Sequence, residues 1–355
     1  MKRSVVFYLA VLPKYREQCM AIVQNALGDD LHLFVSSAHL DKSVKTGIPA
    51  SNYTRVPMLR GPRRLAFLQL RHWREALAAD VTIVDLNPRS VTAWVITAAR
   101  TALRRRTLVW GHLKSQGAHN AYLRRALRRL ANGTISYTYE DREYAIGDLP
   151  AQPVWVAANA LYRRIDIRPA ESDVDRTVVL YVGRLESVKK IELLIRGFSL
   201  AVDFVEDIRL TLVGDGTQRS KLADLAEQLG VLDRVDFVGW IDDVEELREY
   251  YERAICTVST GFAGLGLTQS LGFGIPMAVA RGERHSPEIE LASTGAVMWF
   301  DRDSPPSLAN ALQALYSRRA RLPDRVASSY VSDNYSAEAM AAGLLDAISG
   351  HEQKG

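Results

Sequence analysis

The sequence predicts an α/β protein made of two doubly wound parallel sheets, on three observations. Short apolar stretches alternate with helical stretches along the chain, which is typical of parallel strands joined by right-handed crossovers. A polar stretch at 166–175 interrupts the alternation, which then starts again. The two sides also differ in charge: residues 1–170 hold 26 Lys and Arg against 12 Asp and Glu, and residues 171–355 hold 19 against 29.

The apolar stretches are predicted to be buried strands because each is short and bounded by turn residues. In the first half they are 5–11, 31–36, 81–84, 108–110, 134–137 and 154–157, and in the second half 178–182, 210–213, 235–238, 255–259 and 276–280. They place a first domain at 1–165 and a second at 166–330. A last helical stretch, 336–349, lies in a segment, 331–355, that we expect to return to the first domain.

Composition excludes several classes of protein. Hydrophobic residues make up 47% of the chain and charged residues 24%, which is ordinary for a globular protein and argues against disorder or a coiled coil. Cys19 and Cys256 are too few for a disulfide framework or a cysteine zinc cluster, and their scarcity fits a reducing compartment.

Two segments imitate targeting or membrane sequences. An apolar run follows Lys2-Arg3, but Pro13-Lys14-Tyr15-Arg16 comes after it instead of a cleavage site of small residues, which favours a buried first strand. Residues 254–280 carry no charge, yet eleven of them are Gly, Ser, Thr or Pro. We therefore predict a strand, a glycine-rich loop and a helix there, and no transmembrane helix.

The first chemical motif is VGRLESVKK at 182–190. The predicted strand before it ends at Gly183, and Arg184 and Lys189 follow on the loop. Two cations in such a place can clamp a diphosphate, Arg as a fork and Lys as a point charge, and can neutralise a departing diphosphate. Two solvated surface charges are the alternative.

Three further motifs also follow predicted strands. Gly214 in LVGDG allows a tight turn and close approach of a ligand. The GFAGLGLTQSLGFGIP stretch at 261–276 opens a helix near Leu267, where main-chain amides beside Gly264 and Gly266 can bind phosphate. In VDFVGW, Trp240 either offers its ring to a nucleobase or is packed.

Taken in order, these motifs and the following Pro287-Glu288 resemble the nucleotide-binding half of family 4 glycosyltransferases. The resemblance is specific over 178–307 and weaker in the first half. It implies the GT-B architecture, in which two Rossmann-like domains face a cleft and the last helix crosses back to the first. It also implies transfer of a sugar from a nucleoside diphosphate sugar to an acceptor alcohol, of hexosyltransferase type, with retention of configuration and with neither metal nor cofactor.

The resemblance assigns roles to individual residues. Arg184 and Lys189 would hold the donor diphosphate, and His112 would lie near the donor sugar and the reacting centre. Asn159 matches the asparagine at the start of the interdomain crossing. The nucleotide-sugar-binding candidates are Gly183, Gly214, Val238, Gly239, Trp240, Gly264, Leu265, Gly266, Leu267, Thr268, Gln269 and Glu288.

One departure from the family concerns two glutamates that usually stand eight positions apart around the glycine-rich loop. Here Gly261 and Gln269 occupy those positions. Gln269 can still hydrogen-bond ribose hydroxyls, whereas Gly261 has no side chain to hold a sugar hydroxyl. The chain thus resembles a divergent branch. Two alternatives stay open: a sugar-nucleotide epimerase, for which Glu288 is the obvious acid or base, and an inactive nucleotide-binding subunit.

The basic first half bears on the acceptor. Residues 121–130 and 62–80 are each predicted to form a helix with arginines opposite an apolar face. Those arginines are either solvated or attracted to an anionic membrane, which would suit a glycan or lipid-linked acceptor in bacterial surface polysaccharide or glycolipid assembly on the cytoplasmic side. No nucleic-acid module is recognised.

The loop after the first strand is predicted to lie on the acceptor side. Lys14 and Arg16 would either contact a phosphate of the acceptor or cap a helix. The acceptor-side candidates are Pro13, Lys14, Tyr15 and Arg16.

No metal site is predicted. The histidines are scattered, with no pair at ligand spacing on one helix. Asp301-Arg302-Asp303 imitates a metal-binding signature but is expected to be a solvated turn. His285, beside Pro287-Glu288, is a candidate lining residue of the donor site.

Overall fold

The computed structural model describes residues 4–36, 46–61, 65–113, 118–171 and 174–352. Its contacts divide the chain into two units, 1–163 with 336–355, and 164–335. The division falls two residues before the predicted first boundary, and residues 331–335 stay with the second unit. Among the described residues, no helix is both long and apolar enough to cross a membrane.

The first unit is built on a seven-stranded parallel sheet with the order β3-β2-β1-β6-β7-β8-β9. Its strands are β1 (Val5–Leu9), β2 (Leu31–Val35), β3 (Thr54–Arg55), β4 (Met58–Arg60), β5 (Phe67–Gln69), β6 (Val81–Asp85), β7 (Arg106–Gly111), β8 (Gly133–Ser136) and β9 (Val154–Val156). Its helices up to this point are α1 (Glu17–Leu27), α2 (Trp73–Ala78), α3 (Val91–Ala102), α4 (Ala118–Leu130) and α5 (Tyr139–Asp148). Strands such as β1 are apolar throughout because helices cover both faces of the sheet.

The second unit has a six-stranded parallel sheet with the order β12-β11-β10-β13-β14-β15. Its strands are β10 (Val178–Val182), β11 (Arg209–Val213), β12 (Val235–Gly239), β13 (Ala254–Ser259), β14 (Met277–Ala280) and β15 (Val297–Phe300). Its helices are α6 (Ile191–Ala201), α7 (Arg219–Gln228), α8 (Val244–Glu252), α9 (Leu265–Gly272), α10 (Pro305–Tyr316) and α11 (Arg325–Asn334). The two parallel sheets confirm the predicted fold class.

The last helix, α12 (Ala337–Ser349), belongs to the first unit. Met340, Leu344 and Ile348 are buried in the same core as β1 and β7. Arg106 at the start of β7 donates to the carbonyls of Ala347 and Ile348, at 2.6 and 2.8 Å. The helix passes so close to β9 that a Cβ at Gly343 would lie 1.8 Å from the carbonyl oxygen of Val156.

The predicted helix over 62–80 is wrong at residues 65–72. Residues 62–64, with Arg63 and Arg64, lie outside the described residues, and β5 follows as a strand paired with β4. Gln69 explains the strand, because its buried amide donates to the Leu9 carbonyl at 2.8 Å and to Ser36 Oγ at 3.2 Å. Tertiary hydrogen bonds thus override a helical pattern here. Of the described residues in this range, Trp73–Ala78 are helical.

The predicted solvated arginine face of 121–130 is also wrong for two of its members. Arg128 is 2% exposed, donates to the Ala145 carbonyl at 3.0 Å and pairs with Asp148 at 2.9 Å. Arg124 donates to the carbonyls of Leu86 and His112. Their guanidinium groups bind α4 to its neighbours, so they are not available to a membrane.

Candidate functional site

The strand order of the second unit reverses between β10 and β13. Ligands of open parallel sheets bind at such a switch point, beyond the carboxyl ends of the strands. The loop after β10 carries Arg184 and Lys189, and the loop after β13 carries Gly261 and Gly264. Topology therefore brings the two motifs that the sequence predicts to bind phosphate to neighbouring loops.

Direct contacts hold these two loops together. The Lys189 ammonium donates to the Phe262 carbonyl at 3.0 Å and lies 5.1 Å from the centre of the Phe262 ring. Thr260 Oγ1 donates to the Lys189 carbonyl at 2.9 Å. A Cβ at Gly261 would lie 2.8 Å from the Val188 carbonyl oxygen, so only glycine fits here without a backbone shift. The position where the family usually has a glutamate is therefore filled by the lysine loop itself.

The site holds two cations without a compensating carboxylate. Within the part of the chain that the structure describes, no acidic side chain forms an ion pair with Arg184 or Lys189. Burial lowers the pKa of Lys189, and the charge of Arg184 lowers it further. The adjacent Lys190, in contrast, pairs with Glu283 at 2.5 Å and Asp303 at 2.8 Å. An anion bound between Arg184 and Lys189 would relieve their repulsion.

Helix α9 begins at this same place. Its N-cap is Gly264, which offers no side-chain acceptor to the first amides. A Cβ at Gly266 would meet nothing within 4 Å, so the backbone is open to a ligand there. The side chains of the following candidates point into the protein: Leu267, Thr268, Gln269 and, after β14, Glu288 are buried. The Leu267 amide already donates to the Gly264 carbonyl at 2.8 Å, so the amides open to a phosphate are those that precede it. Thr268 Oγ1 has no hydrogen-bond partner among the described residues.

The loop after β12 is exposed. Trp240 is 57% exposed and Val238 is 36% exposed, so the packed alternative for this tryptophan is wrong. Gly239 has φ of 99°, and a Cβ there would meet nothing within 4 Å. A free indole face beside an open backbone can stack on a planar ring.

Gly183 and Gly214 serve packing rather than ligand approach. A Cβ at Gly214 would lie 1.9 Å from the carbonyl oxygen of Gly183, and the Gly214 amide donates to the Gly239 carbonyl at 2.7 Å. Gly183 in turn donates to the Val213 carbonyl at 2.9 Å. These glycines let three neighbouring loops converge at the carboxyl edge of the sheet.

His285 braces the glycine-rich loop, a role that its sequence position did not reveal. The Ala263 amide donates to Nδ1 of His285 at 3.2 Å, and Nε2 donates to the Ala280 carbonyl at 2.9 Å. This pattern needs the neutral imidazole, and burial lowers the pKa of His285 accordingly. The only signal in the sequence was its distance of two residues from Pro287-Glu288.

The first unit has its own switch point, between β1 and β6. After β1 the segment Lys14–Arg16 forms a short 3-10 helix. Arg16 is 5% exposed and donates to Asn159 Oδ1 at 2.9 Å, with its guanidinium over the rings of Trp110 and Tyr137 at 4.3 and 4.7 Å. Of the acceptor-side candidates, Lys14 is exposed, Pro13 and Tyr15 are half-buried, and Arg16 is the buried centre of an aromatic cluster.

His112 follows β7 and belongs to the same cluster. Its ring meets the edge of Tyr137 at 4.5 Å, and its Nδ1 has no hydrogen-bond partner among the described residues. Burial, with the charges of Arg124 and Arg16, lowers the pKa of His112 to about 3. The imidazole is therefore neutral at physiological pH and suited to hydrogen bonding rather than to proton donation.

Asp85, at the end of β6, gives a testable pH effect. It accepts a hydrogen bond from the Ala10 amide at 2.5 Å, and burial raises its pKa to about 6. The Asp85 carboxyl therefore binds its proton more tightly in the folded state than in the unfolded state. The free energy of unfolding accordingly falls as the pH rises from about 4 to 6. We expect Asp85→Asn to remove that fall, of up to about 3 kcal/mol in the free energy of unfolding. Urea unfolding at pH 4 to 8 measures it.

Asp29→Asn, at an exposed aspartate, is the matched control and is expected to parallel the wild type. Equal pH slopes in wild type and Asp85→Asn would contradict the assignment of the buried proton to Asp85.

Comparison with known proteins follows the same division of the chain. Residues 163–329 match the family model of glycosyl transferases group 1. The lipopolysaccharide core biosynthesis glycosyltransferase LpsE of Rhizobium meliloti (strain 1021) is 28% identical over 164 residues, which are 45% of this chain and 46% of LpsE. LpsD of the same organism, also a lipopolysaccharide core biosynthesis glycosyltransferase, is 30% identical over 145 residues, 41% of this chain and 40% of LpsD. The chain thus spans less than half the length of these curated relatives.

The whole chain has a structural counterpart in Anabaena HepE, solved in complex with UDP. The TM-score is 0.69 at 16% identity, over 98% of this chain and 100% of HepE. The expected architecture and the resemblance to glycosyltransferases are confirmed. The chain has the GT-B fold, and its residues 163–329 match the family of glycosyl transferases group 1.

Proposed function

We propose that the protein transfers a sugar from a nucleoside diphosphate sugar to an acceptor alcohol, with retention of configuration and without a bound metal. The observation that carries the proposal is the pair of cations, Arg184 and Lys189. Lys189 contacts the loop that leads into α9, Arg184 lies near enough to lower the pKa of Lys189, and no carboxylate among the described residues pairs with either. A diphosphate fits this arrangement, because it brings two negative charges and oxygens that accept from main-chain amides. As the bond to the sugar breaks, the same groups stabilise the charge on the departing diphosphate.

The other candidate residues contact the base, the phosphates and the sugar of the donor. Trp240 and Val238 line the base, and of the predicted amides from Gly264 to Thr268 those of Gly264, Leu265 and Gly266 share the phosphate. His112, neutral through burial, hydrogen-bonds the donor sugar. HepE was solved with UDP and, in another structure, with UDP-glucose, which supports a nucleotide-sugar donor of this kind. The names of LpsE and LpsD support an acceptor in bacterial surface polysaccharide, such as a glycan or a lipid-linked glycan.

Thermal unfolding with UDP, GDP, ADP, TDP and CDP tests the donor site. A nucleotide present at 100 times its Kd adds about 2.7 kcal/mol to the free energy of unfolding, so one of them is expected to raise Tm clearly. The shift is expected to persist in EDTA, since the cations are supplied by side chains. Failure of every diphosphate at millimolar concentration would overturn the proposal.

Assays with the corresponding nucleotide sugars then test transfer. Product formation only with an acceptor supports the transferase, and NMR of the new linkage reads its configuration. Consumption of the donor without an acceptor would instead identify an epimerase. Nucleotide binding without any turnover would identify the protein as an inactive nucleotide-binding subunit.

A further inference from the structure

Helix α3 presents an apolar stripe to solvent. Val91, Val95, Ala98 and Ala102 follow at intervals of four, three and four residues, so they share one face of the helix. All four are exposed, Val91 by 40% and Val95 by 41%. The opposite face, with Ile96, is buried against the sheet. A surface helix normally carries polar residues where this stripe lies, and an exposed apolar patch marks an interaction surface.

Arginines surround the stripe. Arg89 and Arg104 stand at the two ends of α3, and Arg74 and Arg129 lie on α2 and α4, the helices that pack on either side of it; all four are exposed. Carboxylates are scarce in this part of the chain. Among the described residues from 54 to 130 they are confined to Glu75, Asp80 and Asp85.

Each of these carboxylates already has a partner within the unit. Glu75 pairs with His72 at 3.0 Å, Asp80 accepts from the Ser4 amide at 2.9 Å, and Asp85 accepts from the Ala10 amide. The surface around α3 therefore combines an apolar stripe with an excess of positive charge.

We propose that this α3 surface, defined by Val91, Val95, Ala98, Ala102 and their flanking arginines, docks on an anionic lipid bilayer. Apolar side chains that enter the headgroup region, with arginines beside them, are the combination that binds such a surface. A second copy of the chain fits less well, because a symmetric contact would bring the same arginines together. The inference goes beyond the proposed function and does not depend on it. It also moves the centre of the membrane contact from the arginine faces of 121–130 and 62–80, which the sequence suggested, to α3, and it keeps Arg74 and Arg129 at its edges.

Co-sedimentation of the full chain with lipid vesicles tests the proposal. We expect binding to vesicles of phosphatidylcholine with phosphatidylglycerol, weak binding to phosphatidylcholine alone, and loss of most binding when NaCl is raised from 100 to 500 mM. Val95→Asp is expected to weaken binding by about tenfold or more, because it places a carboxylate in the stripe. The double variant Arg74→Gln, Arg129→Gln is expected to weaken it similarly.

Matched controls lie on the second unit. Val326, 82% exposed on α11, gives Val326→Asp, and Arg318→Gln with Arg321→Gln gives the matched loss of charge. Both are expected to bind as the wild type does. An unchanged far-UV circular dichroism spectrum and Tm show that each variant is folded.

Two results would overturn the proposal. One is a wild type that ignores anionic vesicles, and the other is a Val95→Asp variant that binds them as tightly as the wild type. Sedimentation velocity adds a third measurement. A wild-type dimer that Val95→Asp dissociates, without any lipid binding, would assign the α3 surface to a second copy.

Discussion

Replacing Arg184 and Lys189 together by Ala is expected to lower kcat/KM for sugar transfer by at least about a hundredfold and to abolish stabilisation by the nucleotide. The two cations are the groups of the site that carry full positive charge toward the diphosphate, and no described carboxylate neutralises them. Burial and then the charge of Arg184 lower the pKa of Lys189, so removing the two charges favours folding, whereas losing the hydrogen bond from Lys189 to the Phe262 carbonyl opposes it. We therefore expect a small change in Tm without the nucleotide. Steady-state kinetics and thermal unfolding with the nucleotide measure the two effects.

Arg196→Ala is the matched control, since Arg196 is exposed on the solvent side of α6. It removes a cation of the same unit and is expected to leave both readouts unchanged. Full transfer activity in the Arg184→Ala, Lys189→Ala variant would show that the diphosphate binds elsewhere. A loss of Tm without the nucleotide would show instead that the pair supports the fold.

Restoring the family glutamate, by Gly261→Glu, is expected to reduce nucleotide affinity by about tenfold or more rather than to raise activity. Its Cβ would have to lie 2.8 Å from the Val188 carbonyl oxygen and 3.3 Å from the Lys189 carbonyl carbon. Both are backbone atoms, so the loop that carries Lys189 must move, and overpacking of this kind costs about 1–3 kcal/mol. Calorimetric titration measures the loss of nucleotide affinity, and thermal unfolding without the nucleotide measures the loss of stability.

Gly261→Ala separates the two parts of this effect, because it adds the Cβ without the carboxylate and should cause most of the loss. Gly147→Ala is the control, since a Cβ at Gly147 on α5 would meet nothing within 4 Å. Faster transfer by Gly261→Glu than by the wild type would mean that the loop yields and that the carboxylate is what the site lacks.

The sequence was most informative where local pattern and burial agree. Strands such as β1 and β10 are apolar runs that the sheet buries on both faces, so their type and place followed from periodicity. The short β3 and the half-buried β15 do not stand out in this way and were missed. Residues 67–69 were misassigned because the hydrogen bonds of Gln69 run to Leu9 and Ser36, which are distant in sequence.

The candidate site, too, could be predicted only in part from the sequence. Glycine and cation spacing suffices to predict that Arg184, Lys189 and the start of α9 belong together, since parallel strands end at one edge of a sheet. Spacing cannot show which atoms leave no room for a side chain at a glycine. At Gly214 the atom is the carbonyl oxygen of Gly183. Nor can it show that Arg16 is buried among aromatic rings, or that Arg128 lies inside the unit, because both depend on contacts with other elements.

The placement of α12 has a consequence for synthesis on the ribosome. Residues 164–335 form a unit of their own, whereas the core of the first unit includes Met340, Leu344 and Ile348. The part of the chain that emerges first therefore lacks one wall of its core until the last helix has been made. The second unit is thus inserted between two parts of the first, and the first cannot complete its core without residues that follow the second. A chain truncated after residue 335 should accordingly protect the sheet of the second unit from proteases better than that of the first.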